Sequence, residues 1–276
     1  MSEPDRVTGS EPPAIGADPL ETPEEARADE ELGRTVAALT ADDLESSGRR
    51  RLLGRLVGDV RRRGVGQLFK PRAALRWMAD VVADVAPHIP VRDRETLRRH
   101  FPGLDDDALA ERLVRNAARA TAGVGAAGGG VAAVEWAAAP ILLSAPVLLS
   151  AETIAVVAIE MKLIGELHEV YGEPVPGNGT ERALALIQSW AGQRGVNPLV
   201  PGTGVATVLG TAARGELQKT LLRRFGRNLT SMGPLLTGAA VAGYLNRRAT
   251  RAVGEKVAAD LRKRALKRPD RRALGG

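Results

Sequence analysis

Cysteine is absent from this chain of 276 residues. That excludes a disulfide scaffold, a cysteine zinc site, an iron–sulfur cluster and a cysteine nucleophile. It is compatible with the cytoplasm. Histidine is limited to three residues, which argues against a His-rich metal site. Aromatic residues make up only 3%, so the core must be built from small and aliphatic side chains. Lysine supplies only six of the 39 basic residues. Arginine and alanine richness of this kind fits a GC-rich genome, and it is discounted here as a phosphate or RNA signal. Alternating apolar–polar runs bounded by turns are missing, so no strand is expected and the fold class is all-α. The opening MSEPDRVTGSEPP is acidic where a secretory signal needs a basic start and an apolar run. Ser2 stands where myristoylation needs glycine, and prenylation would need a C-terminal cysteine.

The charge that is present is unevenly placed. Residues 1–32 hold ten acids and two arginines. They read as a disordered acidic tail, with the start of a helix at its end in PEEARADEELGRTVAAL. Residues 33–100 hold fifteen basic and eight acidic residues, and 202–276 hold sixteen and four. Residues 120–160 hold three acids and no base. These shifts divide the chain into the tail, a basic amphipathic helical region at 33–100, a helical domain at 101–268 and a short disordered tail at 269–276.

In SGRRRLLGRLVGDVRR, residues 47–62, Leu52, Leu53, Leu56, Val57 and Val60 recur at helical spacing. Arg49, Arg50, Arg51, Arg55, Arg61 and Arg62 fill the other face. Two readings stand: a helix lying on anionic lipid, or an ordinary helix whose leucine stripe packs on the domain. A second helix is expected from Pro71 to Ala86, before Pro87 and Pro90. Asp105 is placed to cap a third, with acids in its first turn. Helices are also expected over 160–171 (ended by Gly172), over 181–193 after Thr180, near 213–226, and through the basic tail to about Leu266.

From Ala120 to Ile159 the charges are Glu135 and Glu152 alone. A small-residue half, TAGVGAAGGGVAAVEWAAA, is followed by an aliphatic half, ILLSAPVLLSAETIAVVAI, with Pro140, Ser144 and Pro146 marking a bend. Two helices of this length predict an apolar hairpin at the centre of the bundle, buried in lipid or in protein. Residues 141–159 contain ten Leu, Ile or Val, worth roughly −3 to −6 kcal/mol on insertion, and one carboxylate takes back roughly 2.5–3.5. The sum is near break-even, and both environments remain open.

Gly123-Val124-Gly125-Ala126-Ala127-Gly128 matches G-x-G-x-x-G, but NAARATA before it reads as helix where a dinucleotide site needs a strand. Close helix packing explains the glycines better. Gly125 and Gly129 lie four apart, as do Gly238 and Ala242, and the two small-residue faces can pack on each other. Glu135 and Glu152 are buried-acid candidates: functional in a membrane, or merely placed at helix ends. Glu166, His168 and Glu169 are metal-ligand types without a metal-ligand spacing and read as a solvated helix face. Ser144, Ser150 and Ser189 lie in no nucleophile motif. No catalytic, cofactor-binding or metal-binding residue is nominated, and the chain is expected not to be an enzyme. The absence of aromatic interleaving argues against nucleic acid.

The order TAGVGAAGGG, apolar hairpin, ELHEVYG, and then SMGPLLTGAAVAGYLNRRATRAVGEKVAADLRKR with Asn246 before the last helix resembles the EcsC-like family of bacterial proteins. The resemblance covers about residues 105–265. It implies a helical, membrane-associated protein without established catalytic residues. With the arginine blocks it leads to the expectation of a non-enzymatic accessory or scaffold on the cytoplasmic side of the bacterial membrane, holding anionic lipid or a membrane complex, with a transmembrane helix among its features. The alternative is a soluble helical module that binds a protein or an apolar ligand through the buried hairpin.

Overall fold

The computed structural model describes residues 22–63, 66, 71–138, 144–177, 179–193 and 233–267. Among these residues it is an all-α bundle of eight helices with no strand. They are α1 (Pro23–Leu39), α2 (Ser46–Arg62), α3 (Pro71–Val85), α4 (Arg94–His100), α5 (Asp106–Ala138), α6 (Ser144–Val170), α7 (Gly179–Gln193) and α8 (Gly233–Lys267). A 3-10 turn, Ala86–His88, follows α3. The helix expected near 213–226 and the tail 269–276 lie outside the described residues. So do the bend at Pro140 and the surroundings of Glu135 and Gly238.

α6 is the axis of the fold. Every residue from Ile154 to Leu167 is buried, and each of the other seven helices touches α6. A helix apolar on all sides has no face to offer water and must be enclosed. Here the enclosing material is protein. Among the described residues, no helix is long and apolar enough to cross a membrane. This corrects the membrane readings. The expected membrane association, the transmembrane helix, the anionic lipid and membrane-complex partners, and the location on the cytoplasmic side of the membrane drew on an apolar centre facing lipid, with the arginine blocks beside it. The alternative, in which that centre is a protein core, fits these contacts better.

α6 ends at a Schellman turn. Gly172 takes φ 69°, the Gly172 N–H donates to Glu169 O at 3.2 Å, and the Glu173 N–H donates to His168 O at 2.9 Å. α5 starts at Asp105, whose Oδ1 accepts from the Ala108 N–H at 2.7 Å. Arg94 and Arg98 of α4 both reach Asp106, at 2.9 and 2.5 Å, and tie α4 to that start. Tyr171 donates to Asp107 at 3.0 Å, while Glu152 near the other end lies against Gly128. The two helices therefore run antiparallel.

α5 and α8 make the most extensive pairing, and small residues set its closeness. A Cβ on Gly125 would stand 2.8 Å from the backbone of Ala242 and Gly243, and one on Gly243 would stand 2.9 Å from Ala122 O. Gly129 meets Ala239 in the same way. Residues 233–267, uncharged as far as Asn246 and mostly basic after it, form one helix, α8, about 52 Å long.

α1 begins at Pro23, inside the segment expected to be irregular. Its apolar residues explain the difference: Leu32, Val36 and Leu39 recur on one face and all three are fully enclosed in the core.

Candidate protein-binding face

Three polar arrangements lie outside the simple core, and two of them hold the fold together. The first is on α6 itself. Glu160 is 0% exposed. Its Oε2 accepts from Trp190 Nε1 of α7 at 2.7 Å, and its Oε1 accepts from Thr250 Oγ1 of α8 at 2.8 Å. A buried charge is tolerated when its oxygens are hydrogen-bonded, and here the bonds join three helices.

The second is a four-charge cluster. Glu166, 2% exposed, accepts two bonds from Arg92, at 2.7 and 2.9 Å, and pairs with Lys162 at 2.8 Å. Asp42 pairs with Arg92 at 2.7 Å and with Lys162 at 3.6 Å. Two acids face two bases, so the cluster is neutral. Burial pulls the Arg92 pKa down, but the bonds and charges of Glu166 and Asp42 outweigh it and raise the value overall. The Phe101 ring lies 5.7 Å from the Arg92 guanidinium. The expected solvated face at Glu166 is thus corrected: the residue points inward because two cations meet it there. A carboxylate four residues after Lys162 in an apolar run was the available signal. Arg92 and Asp42, in loops, carried none.

His168 and Glu169 go elsewhere. Glu169 pairs with Arg182 at 2.7 Å. His168 Nδ1 lies 3.0 Å from Glu173 O, and burial lowers the imidazole pKa. Ser189 lines the same shallow cavity of about 390 Å³. Ser150 donates back to Pro146 O at 2.8 Å. No group of three or more His, Asp or Glu among the described residues could hold a metal ion.

Glu152 has no hydrogen bond or ion pair among the described residues. Burial pushes its carboxyl up to about 8. A carboxyl raised in the folded state binds its proton more tightly there than in the unfolded chain. Its contribution is therefore present below the unfolded value near 4.5 and is lost as pH rises through about 8. Glu152→Gln should remove that loss. Its gain over the parent should be negligible at pH 4.5 and reach about 1–3 kcal/mol at pH 9, read by urea unfolding at both pH values.

The third arrangement is on α2 and α1, and it is open. Leu53, Leu56, Val57 and Val60 of α2 pack inward. Arg49 goes with them. It is 4% exposed and donates to Leu39 O at 3.0 Å and Leu44 O at 3.4 Å, closing the end of α1. Its guanidinium stem lies over Gly123, where a Cβ would stand 2.8 Å from Arg49 Cδ. Burial lowers its pKa, against the opposing charge of Asp42. Arg49 therefore does not share the outer face with the other five.

Arg50, Arg51, Arg55, Arg61 and Arg62 are exposed. Arg62 pairs with Asp59. Arg50, Arg51 and Arg55 are in no ion pair among the described residues, whereas Arg63, Arg94, Arg98, Arg115, Arg182 and Arg264 all meet acids. Beside this row runs a cleft of about 480 Å³ between α1 and α2, lined by Glu31, Arg34, Thr35, Arg55, Gly58 and Asp59 among others. Asp59 Oδ2 is buried without a hydrogen-bond partner among the described residues. Burial raises the Asp59 pKa, with Arg62 opposing.

The fold defines the class: an all-α bundle threaded on a buried helix. No family model matches the chain, and neither a curated protein nor a solved structure matches it. The EcsC-like resemblance therefore rests on the quoted motifs alone.

Proposed function

We propose that this chain is a non-catalytic helical module that binds another protein, and that the arginine face of α2 is where it does so. One observation carries the reading. Arg50, Arg51 and Arg55 stand exposed on one face of α2 and, among the described residues, in no ion pair, beside a cleft in which Asp59 Oδ2 finds no hydrogen-bond partner among those residues. Unpaired surface charge of one sign steers and selects partners of the opposite sign, so the partner surface is acidic. In this reading the antiparallel α5–α6 hairpin is the scaffold. We likewise propose membership in the EcsC-like family over residues 105–265, on the Tyr171-Gly172 stop and the place of Asn246 before the basic segment.

The test is fluorescence anisotropy with a labelled oligoglutamate peptide at low salt. The triple variant R50E/R51E/R55E should bind about tenfold or more weakly than the parent, a difference of about 1.4 kcal/mol. The control R247E/R248E/K263E carries the same net change on α8, where these three residues are also exposed. Equal loss in both variants would mean that binding follows net charge and that α2 is no site.

A further inference from the structure

The last turn of α6, the loop after it and α7 enclose a shallow cavity of about 390 Å³. That size lies toward the lower end for small-molecule sites. Pro174, Val175 and Pro176 of the loop and Ala185 of α7 give it an apolar lining, and His168 and Ser189 add polar groups. Ala185 and Ser189 stand four apart, on one face of α7. No residue of this lining belongs to the α1–α2 cleft.

Local bonding fixes the wall. Gly172 turns the chain back at φ 69°. The Glu173 N–H donates to His168 O at 2.9 Å, and His168 Nδ1 lies 3.0 Å from Glu173 O. Backbone and side chain of His168 thus hold the same residue. Glu173 is tied in turn to Arg264 of α8 at 3.2 Å. A wall held in this way is preformed, and a preformed site loses little affinity to ordering.

The same bonding sets the chemistry of the imidazole. A carbonyl oxygen can only accept, so Nδ1 carries the hydrogen in its bond to Glu173 O. Burial lowers the pKa of the ring, and Arg264 lowers it further, against the bond and charge of Glu173 and the charge of Asp260. A neutral imidazole with its hydrogen on Nδ1 keeps a lone pair on Nε2. The α6 stop uses Nδ1 alone. Nε2 and the Ser189 hydroxyl make no hydrogen bond among the described residues. The charges nearby are matched, Glu173 with Arg264 and Glu169 with Arg182. An ionic ligand would therefore have to break a pair to find a counter-charge, whereas a neutral one would not.

We infer that this cavity is a binding site for a small neutral ring compound carrying an O–H or N–H donor, of which phenol is the simplest form. The ring lies against the proline loop and Ala185, and its donor bonds to His168 Nε2. The Ser189 hydroxyl is available to the same polar end of the ligand. This site stands independently of the arginine face of α2.

Phenol and anisole are titrated at neutral pH into the isotopically labelled full chain and followed by NMR. Anisole keeps the ring and the oxygen but carries a methyl group in place of the donor. The expected result is that phenol shifts the His168 Nε2 signal and the amides of Glu173, Val175 and Ser189, and binds about tenfold or more tightly than anisole. Ala185→Leu fills the cavity at a helical position where both residues are good formers. It should weaken phenol binding about tenfold or more while unfolding at the parent's temperature. If that variant unfolds early, the comparison of the two probes on the parent decides alone. Equal affinity for phenol and anisole overturns the proposal, because the imidazole would then be no acceptor. Phenol shifts that fall outside residues 168–189, no shift up to the solubility of phenol, or full binding by a stable Ala185→Leu chain overturn it as well.

Discussion

Glu166→Ala should lower the unfolding free energy by about 3–5 kcal/mol, the cost of removing one partner from a buried ion pair. The size follows from what is left behind. Lys162 and Arg92 would keep only Asp42, which sits 3.6 Å from the lysine and is more open to water. Lys162 is itself buried, so its charge would keep only that longer contact. Glu166→Gln keeps an acceptor but not the charge and should fall between the parent and the alanine variant. Arg92→Met combined with Glu166→Leu removes one charge of each sign and should recover part of the loss, because well-packed apolar groups often replace a buried pair at little cost. Urea unfolding at neutral pH measures all four proteins. A loss under about 1 kcal/mol for Glu166→Ala would place this cluster with solvated surface pairs.

Trp190→Ala should cost a similar amount, about 3–5 kcal/mol. The side chain is 1% exposed and the largest of the fully buried ones among the described residues. Its removal leaves a cavity between α6 and α7 and takes the indole donor from Glu160. Trp190→Phe separates the two effects. It keeps most of the ring volume and loses the N–H, so it should cost about 1–3 kcal/mol, the penalty for leaving a buried acceptor unmade. Thr250→Val removes the hydroxyl donor to the same carboxylate. Because the two donors share Glu160, the double variant Trp190→Phe/Thr250→Val should depart from additivity by about 0.5–3 kcal/mol. Simple additivity would mean that each donor acts on its own oxygen without coupling.

Helix boundaries were legible because they depend on local pattern. The stripe Leu53, Leu56, Val60 places α2 within one residue of its observed start, and the carboxylate at Asp105 marks the start of α5. Glycine after Tyr171 is a local stop and behaves as one. α1 was less legible. Its dense acids resemble an irregular tail, and the helix depends on Leu32, Val36 and Leu39 finding α2 and α6. The candidate face was half legible. Five of its six arginines are exposed, as amphipathic spacing requires, but Arg49 turns inward because the end of α1 and the loop after it each offer it a carbonyl oxygen.

The sequence by itself determined an all-helical chain with a small-residue helix, an aliphatic helix and arginines segregated from both, since backbone periodicity and side-chain volume are properties of neighbouring residues. Only the tertiary structure decided what surrounds the aliphatic helix. An apolar surface is driven out of water with nearly the same free energy into lipid or into protein, so residues 141–159 could not distinguish the two. Partner choice among charges was likewise a tertiary matter. Arg92 and Glu166 stand 74 positions apart, and a Coulomb interaction depends on distance through space rather than along the chain.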